Sequence, residues 1–377
     1  MRTSDSQKLA SLAQDLTKGY PRSPRDLLAG YIGRRREVDR DVTTNTCGLN
    51  LVKEHLLSCG RAGQVGWRSK EMGRLCLLTL GAICPWLASL GDAQMVEQLQ
   101  IGGRKIVVHF DSAPSDSLRK LFLQRIALSA KAVSIYYQQY PVAKVDIRVG
   151  FHDGRGVNSG RAFGSSTPHI SISVGRASTD VDFAEDWVST HEMVHLAFPS
   201  VAEEHHWIEE GLATYVEPIA RARIGELSAK KVWGDMVDGM PKGLPEPGDR
   251  GLDFTHTWGR TYWGGALFCL LADVEFRKRT GNQKGLEDAV RGILKAGGSI
   301  ESEWTLARAL EIADRAAGVS VLEELYEKMK AAPFAPDLGN LWQQLGVERR
   351  GADTVFNDFA PLAAIRKAIT EPVDHPN

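Results

Sequence analysis

Cysteine is scarce in this sequence: five in 377 residues, of which Cys47, Cys59, Cys76 and Cys84 all precede Gln94. Residues 94–377 therefore hold Cys269 alone, which excludes a disulfide framework there and a metal site closed by several thiolates. Cys269 lies in the apolar run ALFCLLADV and reads as a small buried side chain rather than a nucleophile. Charge of one sign is also lacking: Lys and Arg total 46 against 47 for Asp and Glu. With no basic run interleaved with aromatics, nucleic acid is excluded as a partner. Neither a repeat of fixed period nor a low-complexity segment is found. Hydrophobic residues at 43% and charged ones at 25% give the balance of an ordinary folded chain.

Long apolar runs are absent except for one. LCLLTLGAICPWLASLG, residues 75–91, carries no charge, follows Arg68, Lys70 and Arg74, and leads into the small-x-small stretch Gly91-Asp92-Ala93. That order of features is the order of an export signal. As a helix these residues would span about 25 Å, short of the roughly 30 Å hydrocarbon core, and Pro85 weakens a permanent span further. Residues 72–93 are therefore expected to be a signal peptide, or a signal anchor if uncleaved, with translation starting at Met72. Export to the cell envelope or beyond, the periplasm in a Gram-negative cell, follows as an expectation, with membrane contact only through residues 75–91. Residues 1–71 would then be a doubtful upstream extension. Within them DLTKGYPRSPRDLLAGY (Asp15 to Tyr31) resembles the opening of a small uncharacterised bacterial family as far as about Arg36.

The pattern after Gln94 predicts an α+β chain. KIVVHF (Lys105 to Phe110), KVDIRVGF (Lys144 to Phe151) and HISISVG (His169 to Gly175) read as strands. Between the first two, Leu118, Leu121, Ile126 and Ile135 mark a long helix capped by Ser115 or Asp116. The expectation for 94–182 is a small mixed sheet with a helix on one face. From Phe183 the periodicity is helical: one helix to Phe198 stopped by Pro199, a second from about Glu204 to Ala222, and a third after GRTYWGG ending near Gly281. The Gly- and Pro-rich stretch from Val237 to Thr257 is expected to cross the surface near the cleft. Residues 183–280 form the helical region with the chemistry, and 281–377 a set of short amphipathic helices.

The chemistry-bearing stretch is HEMVH, residues 191–195. On a helix, positions four apart share a face, so His191 and His195 can aim ring nitrogens at one point. Glu192, about 100° around, leans over the open side. With ten histidines in the chain, chance gives this pattern about 2% of the time, so further ligands are needed to raise it above accident. A third histidine in the HExxHxxGxxH pattern is excluded, because Phe198 and Val201 stand where its glycine and histidine would be. Downstream, WIEEGLATYVEP offers Glu210 after fourteen intervening positions, a gap that suits a turn and a returning helix. Three such ligands and a water complete a tetrahedral catalytic zinc, one per chain.

HEMVH, EEGLATYVE and TYWGGALFCLLADVEFRKRTG together resemble the gluzincin metallopeptidases, in particular those related to aminopeptidase N and glycyl aminopeptidase, over about residues 160–295. The resemblance implies a zincin-like fold, with a sheet lobe and a helical lobe either side of a zinc site on two consecutive helices. It implies His191, His195 and Glu210 as ligands, Glu192 as base and Tyr262 as oxyanion partner, with Glu217 holding a ligand histidine from behind. The ligand gap is shorter than is usual in those aminopeptidases, so Glu209 stands as an alternative to Glu210; the Gly-x-Ala that follows favours Glu210. The glutamate-bearing strand motif that grips a substrate's free amine there has no counterpart in GVNSGRAFGSSTPHISIS, so aminopeptidase activity is not implied.

The expected function is hydrolysis of peptide bonds in a peptide or protein substrate. The rival is an inactive relative that binds zinc or peptide. Gly164, Ile170 and His256 are expected substrate contacts, Ile170 because strand 169–174 would pair its edge with an extended peptide. Tyr262 has the alternative of a packed aromatic beside Trp258 and Trp263. The adjacent His205 and His206 cannot both face one site and are read as solvated surface side chains rather than a second metal site, with Glu203 and Glu204 as a solvated helix start.

Overall fold

The computed structural model describes residues 95–165 and 167–372. All of them belong to one compact unit, Gly91–Asn377. The segments expected to be an upstream extension (1–71) and an export signal (72–93) lie outside the described residues. Among those described, no helix is long and apolar enough to cross a membrane.

Five strands make one mixed sheet: β1 (Met95–Ile101), β2 (Arg104–Phe110), β3 (Lys144–His152), β4 (Val157–Phe163) and β5 (His169–Gly175), in spatial order β1-β2-β3-β5-β4. β1 and β2 form a hairpin whose turn, Gly102-Gly103, has positive φ at both positions, the two-residue geometry that matches strand twist. α1 (Asp116–Tyr137), capped by the Ser115 hydroxyl accepting the Leu118 N–H at 3.2 Å, crosses over to put β3 parallel to β2. β5 then runs parallel to β3, and β4 closes the edge antiparallel to β5.

The rest is helical. α2 (Asp180–Ala184) and α3 (Val188–His195) are separate, where one continuous helix from Phe183 to Phe198 was expected. The break has a cause: the Asp186 carboxylate turns to accept the Ser189 N–H at 3.2 Å and restarts the helix. α3 also ends at His195, and a short turn precedes Pro199. After a 3₁₀ turn at Glu203–His205 come α4 (His206–Arg223), α5 (Ala229–Gly239), a π turn at Gly259–Gly264, and α6 (Gly265–Arg279). α7 (Leu286–Lys295), α8 (Leu306–Ala317), α9 (Leu322–Met329) and α10 (Leu338–Leu345) follow, then the hairpin β6 (Val347–Arg350) and β7 (Asp353–Phe356), and α11 (Ala363–Thr370). The stretch from Val237 to Thr257 is not all surface: Leu252 and Asp253 are buried, with Asp253 accepting from Trp207 Nε1 at 2.8 Å and from Tyr326 OH at 2.7 Å.

One continuous apolar core joins the sheet's inner face (Ile106, Val108, Ile147, Ile170, Ile172), α1 (Phe122, Ile126) and α3 to α10. Residues 94–182, 183–280 and 281–377 therefore share a core rather than each enclosing its own. Cys269 is buried within it, as expected.

Candidate metal centre

α3 is short, and its residues 188–194 are all buried, polar and apolar alike. Such a helix needs its polar groups held, and α1 does part of this: Arg125 Nη2 donates to Thr190 Oγ1 at 2.7 Å, beside the first histidine of the motif. α4 is fixed against α6 by glycine. A Cβ on Gly211 would lie 2.3 Å from the Gly265 backbone, and one on Gly265 2.1 Å from the Trp207 carbonyl oxygen. Only glycine lets the two helices approach this closely, and the approach brings the π turn that carries Tyr262 toward the site.

These constraints bring three of the expected residues together. One ligand-capable atom from each of His191, His195 and Glu210 falls within 4.8 Å of the other two. His191 Nε2 is 3.2 Å and His195 Nε2 3.7 Å from Glu210 Oε2. Zinc bonds of about 2.0–2.2 Å in a tetrahedron separate ligand atoms by about 3.3–3.6 Å, so the spacing suits that ion. Glu209, the alternative ligand, is occupied elsewhere, accepting the Val201 N–H at 3.3 Å and facing His206 Nδ1 at 2.9 Å.

The electrostatics fit a cation as well. Among the described residues no Lys or Arg makes an ion pair with Glu192 or Glu210. Burial strongly disfavours the charged ring of His195, outweighing Glu210 and lowering its pKa to about 4, so its lone pair is free at neutral pH. Burial acts the same way on His191, but the hydrogen bond and charge of Glu210 overcome it and raise that pKa. Burial would also raise Glu210, yet the three surrounding imidazoles hold it well below the usual carboxylate range. His191 Nε2 and Glu210 Oε2 thus face each other at 3.2 Å, a separation that a divalent cation could bridge. Glu192 is pushed up to about 7, chiefly by burial, with His191 opposing and Glu210 adding.

Tyr262 is half-buried, its ring nearly parallel to that of His191 with centroids 6.3 Å apart and stacked on Trp258 at 6.1 Å. It is both a packed aromatic and a neighbour of the site. Glu217 is buried behind the histidines, but its hydrogen bond is with Arg221 Nη1 at 2.9 Å, so it reaches His191 through its charge rather than through a bond to the ring. His256 is exposed, and no hydrogen bond or ion pair among the described residues ties it to the site.

Two expectations require correction. Strand 169–174 does not offer an edge to a peptide, because β5 is hydrogen-bonded to β3 on one side and β4 on the other, and Ile170 is wholly buried in the core. The outer strands of the sheet are β1 and β4, and β4 was not among the strands expected from the sequence. Gly160 on β4 packs directly on Glu192: a Cβ there would lie 2.5 Å from Glu192 Cγ. Gly164, just beyond, is pressed against the Ile300 carbonyl and has no room for a side chain. The second correction concerns His206. It is not a solvated side chain but is 30% exposed, with Nε2 3.2 Å from Glu210 Oε1. Burial opposes its charge, but hydrogen bonds to Glu209 and Glu210 lift its pKa to about 10. His205 faces away, toward Asp253 at 3.1 Å. Trp187, also unanticipated, sets its ring edge-on to His191 at 5.3 Å.

No family model matches the sequence, and no curated protein matches it. Solved structures do resemble it. An aminopeptidase N family protein from Idiomarina loihiensis matches with a TM-score of 0.51 and 13% identity, over 68% of this chain and 49% of its own. An M1 zinc metallopeptidase from Deinococcus radiodurans, in a mutant form bound to a Tyr-Ser-Ala substrate, matches with a TM-score of 0.43 and 15% identity, over 64% of this chain and 53% of its own. The chain spans about half the length of each. At such identities the likeness is one of fold: the described residues adopt an α+β fold similar to part of an aminopeptidase N family protein.

Proposed function

We propose that this chain is a zinc-dependent metallopeptidase, with His191, His195 and Glu210 as metal ligands and Glu192 as general base. The observation that carries the reading is the convergence of two imidazole nitrogens and one carboxylate oxygen at zinc spacing, beside the buried carboxyl of Glu192, with which no Lys or Arg among the described residues makes an ion pair. Zinc bound there would supply Lewis acidity to the scissile carbonyl and lower the pKa of a water from 15.7 to about 7.

The chain's own residues divide the remaining work. A glutamate of ordinary pKa, about 4.3, falls about 3 units short of such a water, a deficit of roughly 4 kcal/mol. The burial that raises Glu192 reduces that deficit, and the same carboxyl can then deliver the proton to the leaving amine. Tyr262 stands beside His191 and serves as hydrogen-bond donor to the developing oxyanion. The free edge of β4, in contact with Glu192 through Gly160, lays an extended peptide across the site by strand addition. β4 (VNSGRAF) has no carboxylate to hold a free α-amine and carries Arg161 instead, so recognition through the amino terminus is not part of the reading. Export through residues 72–93 belongs to the same proposal and rests on those residues alone.

The test is a peptide-library digest by the purified zinc-loaded chain, with and without chelator, beside Glu192→Gln. Cleavage that chelator abolishes and zinc restores is expected, with Glu192→Gln lowering turnover by about 10²–10⁴-fold while keeping its zinc. Equal turnover by Glu192→Gln removes the assigned base. Peptide binding without turnover by the unaltered chain identifies a binding module instead.

A further inference from the structure

We propose that His206 is a positioning residue for the metal site, holding Glu210 so that it offers the metal one oxygen and leaves a coordination place open. The inference rests on the metal-ligand reading above. His206 opens α4 and Glu210 follows one turn later, so both side chains project from the same face. The two Glu210 oxygens are thereby given different tasks. Oε2 faces His191 and His195 at 3.2 and 3.7 Å, while Oε1 lies 3.2 Å from His206 Nε2.

His206 is itself held. Its Nδ1 lies 2.9 Å from Glu209 Oε2, and the other oxygen of Glu209 accepts the Val201 N–H at 3.3 Å. With a carboxylate against each ring nitrogen, the ring cannot turn without losing one of the two contacts. The chain Val201, Glu209, His206, Glu210 therefore runs from a backbone amide ahead of α4 to the ligand carboxylate. It also gives Glu209, the glutamate next to the ligand, its own task.

The chemical consequence concerns denticity. A carboxylate with both oxygens free can close on a metal with both, using the place that water or a substrate carbonyl needs. The His206 ring against Oε1 opposes that, and outer partners of this kind typically affect metal affinity by about 10–100-fold. His206 is not itself a member of the converging ligand set, which consists of His191, His195 and Glu210.

The experiment measures metal rather than turnover. Zinc affinity is read by chelator competition, and coordination by the visible spectrum of the cobalt(II)-loaded chain, for the unaltered protein, His206→Ala, His206→Gln and Glu209→Gln. His206→Ala is expected to bind zinc about 10–100-fold more weakly and to shift the cobalt spectrum from the strong bands of four-coordination toward the weaker ones of five. His206→Gln, which keeps a donor, recovers part of both, and Glu209→Gln changes both in the same direction by less. Unchanged affinity and spectrum in His206→Ala overturn the proposal. Loss as complete as that of His195→Ala also overturns it, since His206 would then be a ligand. Should His206→Ala fail to fold, Glu209→Gln decides: no change in affinity or spectrum overturns the proposal. A chain that shows these metal shifts but cleaves no peptide would refute the peptidase reading and leave this one standing.

Discussion

Helix α4 borders two clusters of buried ionisable side chains, and they are built on opposite principles. Toward its end, Arg223 and Arg277 face Asp273 and Glu287: Arg277 bonds Asp273 at 2.8 Å and Glu287 at 2.7 Å, Arg223 bonds Glu287 at 2.9 Å, and Tyr215 and the Leu286 amide complete Asp273 at 2.8 and 3.0 Å. Two cations meet two anions, and that cluster is satisfied from within the chain. Near the start of α4, Glu192 and Glu210 face imidazoles instead, with no Lys or Arg in ion-pair contact among the described residues. Buried carboxylates matched by guanidinium groups hold structure together, whereas carboxylates faced by imidazoles, whose nitrogens become metal-binding once deprotonated, leave room for a cation from outside.

Removing an anion from each cluster is the sharpest way to break this contrast. Glu210→Ala should lower zinc affinity on the order of 10³-fold or more, since it removes one of three ligands from a site type whose binding free energy is about 10–16 kcal/mol. In metal-free protein the same change should lower the melting temperature less than Glu287→Gln does. Glu287→Gln should cost about 3–5 kcal/mol in urea unfolding, because it leaves two buried guanidinium groups short of a partner, while zinc per folded chain stays the same. If Glu287→Gln strips the zinc, or Glu210→Ala unfolds the protein, the two clusters are not distinct.

A finer cut separates holding the metal from placing the base. Gly160→Ala puts a methyl against Glu192 Cγ and Val188 Cγ1, at 2.5 and 2.6 Å before relaxation. Displacing the base by about 1 Å should lower peptide turnover about 10²-fold with zinc content unaltered. The smallest effect is expected at Cys269, whose thiol pKa is raised far above its usual value by burial. Cys269 should not be labelled by iodoacetamide until the chain unfolds, as read by mass spectrometry of the peptide that carries it, and labelling of Cys269 in the native protein would show that the α6 core opens.

Much of the site was legible because helix spacing alone puts residues 191 and 195 on one face, and because Glu210 sits in a stretch with its own pattern. Strands β3 and β5 were legible from alternation, and their buried positions follow it, whereas β2 was legible as a short apolar run and buries Ile106, Val107 and Val108 in succession. β4 was not: VNSGRAF has no apolar alternation, since one face rests a glycine against Glu192 and its outer edge has no strand to pair with. Its flanking glycines and serines read as a turn. His206 was passed over for a similar reason: two adjacent histidines before a helix look solvated until the helix start is known to the residue.

What the sequence determined by itself was local: the long first helix, the strands β2, β3 and β5, and that two imidazoles and a glutamate lie within about one turn of each other. Tertiary structure alone decided which strand lies at the sheet's open edge, which glutamate of the 209–210 pair faces the histidines, and that His206 backs it. Those outcomes depend on packing between segments far apart in the chain, such as Gly211 against Gly265 and Gly160 against Glu192. Contact distances of that kind are fixed by how closely two backbones can approach, a quantity that no single segment's periodicity contains.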